Sequence, residues 1–141
     1  MPRILKPYPD LAEAVMLLVE GWYPDEFAPR GDDDYRTGRD FPPDLTKLIA
    51  DGEVFCRVQD IGGNDDGLTD RPLIDVDVFA SSFAQARDLA KGIQARLLGA
   101  PWRINRVVID KARTAMRPHE VPWDDDNTFR WYGSYVVSAR R

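Results

Sequence analysis

The sequence predicts one α+β domain. Its elements run α-β-β-α-β-β, with about four strands in a mainly antiparallel sheet and the helices packed on one face. Three observations carry this reading. The length of 141 residues suits one domain around a single core. Apolar residues recur at spacings of three and four in two segments and at a spacing of two in four others. No linker, repeat or shift of composition divides the chain, and helices and strands do not alternate as they do in parallel α/β folds.

The first helix opens at Pro9-Asp10, where Asp10 can cap it. Leu11, Ala14, Val15, Leu18 and Val19 fall on one face, and Gly21 marks its end. The stretch from Trp22 to Pro43, "WYPDEFAPRGDDDYRTGRDFPP", has no periodicity. A connection this long is usually functional or mobile, and its aromatics (Trp22, Tyr23, Phe27, Tyr35, Phe41) suit either a partner or the chain's own core. Asp44 to Ala50 fits a short helix ended by Asp51-Gly52.

Residues 53–61 alternate Val54, Cys56 and Val58 against Phe55, Arg57 and Gln59, a strand pattern. "GGNDDGLTDR" reads as a flexible hairpin connection, and a strand over 73–80 follows. Ser82 then caps a second helix, with Gln85 in the capping-box position. Phe83, Ala86, Ala90, Ile93 and Leu97 form its apolar stripe, and Gly99 and Pro101 end it. Strands are expected over 104–115 and 129–139.

The strand over 73–80 places Asp75 and Asp77 on the face opposite Ile74, Val76 and Val78. The expectation is a solvated or interfacial face. The competing reading is a small metal-dependent enzyme using Asp75, Asp77 and Asp110, with Asp65 and Asp66 as further candidate ligands. None of these stands at a recognised ligand spacing, and the single histidine, His119, lies in a Pro-rich segment. "DIGGNDDG" lacks the Lys-Ser/Thr of a phosphate-binding loop. The runs 32–34 and 124–126 lack the alternating ligands of a calcium loop. Cys56, the only cysteine, sits in an apolar strand pattern as a small hydrophobe. No catalytic residue, cofactor or metal is expected.

The net charge of −5, from 24 acidic against 19 basic residues, disfavours a protein that holds nucleic acid by its phosphates. No apolar run reaches the ~20 residues needed to span a bilayer. The first residues lack the features of a signal peptide, and synthesis in a reducing cytoplasm is expected.

Several segments taken in order resemble one family. They are Asp60-Ile61-Gly62-Gly63, Pro72 to Ala80 ("PLIDVDVFA") with the helix after it, Val108 to Asp110, Arg113 to Asp125, and the aromatic, basic-ended stretch from Phe129 to Arg141. In this order they resemble the tail terminator (tail completion) proteins of long non-contractile-tailed phages, especially those infecting actinobacteria. The resemblance covers about residues 54–141. Arg117-Pro118 stands where the family commonly has Gly-Pro, and Asp60 stands where it often has Arg.

The resemblance implies a virion protein made in the host cytoplasm. It would form a ring, commonly a hexamer, that caps the head-proximal end of the tail tube. Its implied partners are further copies of itself, the major tail tube protein and a head-proximal neck (head-closure) protein. DNA would pass through without sequence-specific binding, and no membrane is involved. Another neck ring protein, such as a head-closure or connector protein, is the nearest alternative. In such a ring the residue types enriched at interfaces become the candidate contacts. These are Trp22, Tyr23, Phe27, Arg30 and Tyr35 in the long loop, Asp65 and Asp66 at the hairpin tip, and Trp123, Asp124, Asp125 and Asp126. For Trp123 core packing is the competing reading.

Overall fold

The computed structural model describes residues 8–22, 37–65 and 67–140. Helix α1 (Leu11–Trp22) begins where Asp10 accepts a hydrogen bond from the backbone N–H of Glu13 at 3.0 Å, an N-cap also held by an ion pair with Arg39. It buries Leu11, Val15, Leu18 and Val19 and continues through Gly21 by one more residue. Strand β1 (Thr37–Gly38) and helix α2 (Leu45–Ala50) precede the long strands β2 (Phe55–Asp65) and β3 (Thr69–Ala80). Helix α3 (Phe83–Leu97) starts at Ser82, whose Oγ accepts from the backbone N–H of Gln85 at 3.1 Å, as its capping pattern predicts. A small hairpin, β4 (Trp102–Ile104) and β5 (Val107–Ile109), leads into β6 (Lys111–Val121) and β7 (Phe129–Arg140).

The main sheet has the order β1-β2-β3-β7-β6. All its neighbours are antiparallel except β1 and β2, which pair in parallel through Thr37↔Cys56 and Gly38↔Arg57. The domain is therefore α+β, with five strands in a mixed sheet, a separate two-stranded hairpin and three helices among the described residues.

Helices α1 and α3 cover one sheet face. Cys56, Val58, Ile74, Val76, Val78, Tyr135 and Val137 point into that layer, each at most 3% exposed. At roughly 1.5–3 kcal/mol per large apolar side chain, this layer dominates the folding energy. Gly133 makes room in it: a Cβ there would stand 2.7 Å from the Tyr135 hydroxyl. Burial pushes that phenol well above its ordinary range.

Three expectations are corrected. First, the helices do not all lie on one face. Leu45 and Ile49 of α2 pack with Phe55 and Phe79 on the opposite face, under Phe41 and Trp123. Second, the segment read as a hairpin connection is mostly strand, since β2 runs to Asp65 and β3 starts at Thr69. Gly62 and Gly63 permit this: both have positive φ at a bulge in the ladder, and a Cβ on Gly63 would stand 2.3 Å from the Arg71 carbonyl oxygen. Third, the strand expected over 104–115 is broken. Asn105, at φ 52°, turns the β4–β5 hairpin, and β6 then continues to Val121 through two irregularities in its pairing with β7.

Candidate functional site

The sheet face away from α1 and α3 carries Arg57 from β2, Asp75 and Asp77 from β3, and Arg130 and Tyr132 from β7. Period two and the observed register bring them there: Arg57↔Asp77 and Asp77↔Tyr132 are direct cross-strand pairs, and Arg130 stands opposite Phe79, one pleat away.

Asp77 is not on a wet surface, contrary to expectation; it is 1% exposed. Its Oδ2 accepts from Arg57 Nη2 at 3.0 Å, and its Oδ1 accepts from Arg130 Nε at 2.7 Å. Aromatic rings cover both cations. Arg57 lies 4.2 Å from the centre of the Phe41 ring, and Arg130 lies 5.5 Å from that of Trp123. Asp75 is half-buried and accepts from the Tyr132 hydroxyl at 2.8 Å. Burial first, then this bond to a carboxylate, pushes the Tyr132 phenol up to about 12. His119 meets the Tyr132 ring edge-on at 5.7 Å, and its Nδ1 is 3.0 Å from the Arg117 carbonyl oxygen.

Among the described residues, the ligand set of the metal-dependent reading is not assembled. Both Asp77 oxygens are committed to guanidinium groups. Asp110 donates its N–H to Ser138, four residues along β7 from the level of Asp75, or roughly 13 Å at the strand rise. No group of three or more His, Cys, Asp or Glu side chains that could hold a metal ion occurs among the described residues. Asp77 clamps the three central strands together, and Asp75 ties β3 to β7.

The other candidate residues scatter. Trp22 ends α1 and meets Trp102 at a tilt, ring centres 5.1 Å apart, while Trp102 Nε1 donates to the Arg96 carbonyl at 2.7 Å, so this pair ties α1 to the end of α3. Asp65 is exposed at the hairpin tip, where it accepts from the Gly67 N–H and the Tyr8 hydroxyl. Trp123 packs on Phe79 at 4.9 Å and Phe41 at 5.4 Å, the core role weighed for it. Asp125 shapes its own loop by accepting from Asn127 N–H and Thr128 Oγ1, and Asp124 and Asp126 are exposed. Tyr23, Phe27, Arg30, Tyr35 and Asp66 lie outside the described residues.

Sequence reasoning missed the cationic partners. Arg57 and Arg130 were visible as the non-apolar members of their alternations, but nothing in the chain's order says which strand neighbours β3. A second basic group was also missed. Arg71, Lys111 and Arg113 line an open concavity of about 360 Å³ with Val136, Ser138, Leu98 and Ala100.

No protein family and no curated protein matches the chain by sequence. Among solved structures, the chain is similar to one described as "Virion of native gene transfer agent (GTA) particle". The TM-score is 0.51 at 16% identity, over 74% of this chain and 78% of that one. At that identity the likeness is one of fold: the sheet and its helices are arranged here as they are in a chain of a virus-like particle.

Proposed function

We propose that this chain is a structural virion protein. Its role is to form a ring, with six copies as the natural number for the resembled family, on the head-proximal end of a phage tail tube. There it stops tube polymerisation and offers the surface to which a neck or head-closure protein joins. The observation that carries this is the fold shared with a gene transfer agent virion chain over about three quarters of both chains. The motif order from Asp60 to Arg141 supports the same reading.

The physics of the role is steric. Tube rings stack head to tail, and such contacts repeat without limit unless a subunit presents one tube-like surface and no second one. That task needs a rigid scaffold with exposed edges and loops. The Arg57–Asp77–Arg130 clamp supplies the rigidity, and the hairpin tip and the 124–126 turn supply contact surface. The acidic balance suits a channel that passes DNA without holding it.

The test is tube growth. Tube protein from the same particle, polymerised with increasing amounts of this chain, should give tubes whose mean length falls as the chain is added. Each tube should carry extra density at one end only. Tubes of unchanged length and bare ends would refute the capping role, whereas binding to the head portal and not to tubes would favour a head-closure or connector protein.

A further inference from the structure

We propose that neighbouring copies join through opposite margins of the sheet, the acidic β2–β3 hairpin of one copy seating on the basic β6 margin of the next. This rests on the ring reading and specifies how its subunits meet. The sheet order makes β2, beyond the two residues that β1 covers, one margin and β6 the other. A closed ring uses two different patches on opposite flanks of each subunit, and these margins are such a pair.

The margins differ in the sign of their charge, and each carries apolar surface. Residues 60–65 of β2 are exposed and carry Asp60 and Asp65, and Asp70 faces Asp65 across the hairpin. The tip also holds out Leu68, 76% exposed. On the other margin Lys111, Arg113 and Arg117 are exposed. The 360 Å³ concavity beside them, with Leu98 and Val136 in its apolar lining, reaches across β7 to Arg71, the one cation among the described residues in 60–71 of the β2–β3 hairpin. A hairpin with Asp60, Asp65, Asp70 and an exposed leucine thus meets, one copy over, a hollow lined by apolar and cationic side chains. Such an arrangement sets register and rejects the reversed orientation.

Two further observations agree. The two irregularities in the pairing of β6 with β7 between Thr114 and His119 distort this edge strand, which disfavours extension of the sheet by a neighbour and favours docking through side chains. The Asp70 carboxyl titrates above its usual range, through burial and then the charges of Asp60 and Asp65, and a docked cation would relieve that repulsion.

Native mass and sedimentation of three chains test the contact. They are the wild type, the acid-margin reversal Asp60→Lys/Asp65→Lys, and the basic-margin reversal Lys111→Glu/Arg113→Glu. The wild type should assemble at low salt and weaken as salt rises. Each reversed chain alone, now bearing like charge on both margins, should lose self-association by about tenfold or more. Mixed in equal amounts, the two should assemble together in alternation, an outcome that misfolding of either cannot imitate. Asp60→Asn/Asp65→Asn keeps the oxygens that accept from Gly62 and Gly67 and should weaken assembly less than reversal does. Assembly indifferent to both reversals would overturn the contact and leave the ring standing. So would a mixture that fails to assemble. A wild type that stays monomeric at low salt and high concentration, or binds DNA at the basic margin instead, would also overturn the contact. In that case the ring itself would be judged on tube ends.

Discussion

Arg130 on β7 donates from Nε to Oδ1 of Asp77 on β3 across 2.7 Å, at a point where the carboxylate is 1% exposed. The two residues are 53 apart in sequence and are joined only by the sheet. With Arg57 on β2 completing the clamp, one carboxylate fixes the relative register of three strands.

Removing that carboxylate should therefore unbalance two guanidinium groups at once. Asp77→Asn is expected to destabilise the fold by about 3–5 kcal/mol, the range for breaking a buried ion pair. Asp75→Asn, which disturbs one half-buried hydrogen bond from Tyr132, should cost about 1 kcal/mol. Urea unfolding of the two variants distinguishes them; equal losses would contradict the clamp.

Stability should respond to pH through two aspartates of opposite sign. Burial alone would raise the Asp10 carboxyl, but the Glu13 N–H and Arg39 outweigh it and hold it below its ordinary 3.8. Its contribution is present above that value and is lost as pH falls through the lowered one. Asp70 is raised above 3.8, so its contribution is present at low pH and is lost as pH rises through the raised value. Asp70→Asn should accordingly gain about 0.3 kcal/mol at neutral pH, and the gain should vanish on acidification. Asp10→Ala should cost about 1 kcal/mol at neutral pH and progressively less in acid. Thermal melts across pH 3 to 7 check both signs.

What could be read from the sequence follows the range of the interactions involved. The stripes of α1 and α3 and the cap at Ser82 are local, and they appear where their spacings predict. The face alternation of β3 was equally legible, but the burial of Asp77 was not, because its partners lie on strands 20 and 53 residues away. The Gly-rich stretch after Ile61 looks like a turn to any local rule. It becomes strand because two glycines at positive φ absorb a bulge. The short α2 gave its existence but not its side, since six residues carry too little periodicity to choose a face. Of the candidate contacts, Trp22 and Trp123 proved to pack within the subunit, while Asp65 stands exposed at the hairpin tip.

Two glycine substitutions should move stability in opposite directions. Gly63→Ala places a methyl 2.3 Å from a backbone oxygen at φ 108° and should cost about 2 kcal/mol, with faster amide exchange confined to the hairpin. Gly92→Ala, in the exposed middle of α3 with nothing within 4 Å of the new methyl, should gain about 0.5–1 kcal/mol.

Within the 22–43 segment, Tyr23→Ser with Phe27→Ser should weaken ring assembly while the melting transition is retained. Aromatic side chains carry a large share of interface energy, and loss of two is expected to reduce assembly by at least about tenfold. Assembly at wild-type strength, or loss of the fold itself, would remove these residues from the interface.

The central claim is that this chain works by shape at one place in a particle. Electron cryomicroscopy of the intact virion, with the chain located by its own density, tests that most directly. The account predicts a single ring of this fold between the last ring of the tail tube and the head-proximal neck. Density for the chain against the capsid portal, or none anywhere in the particle, would contradict it.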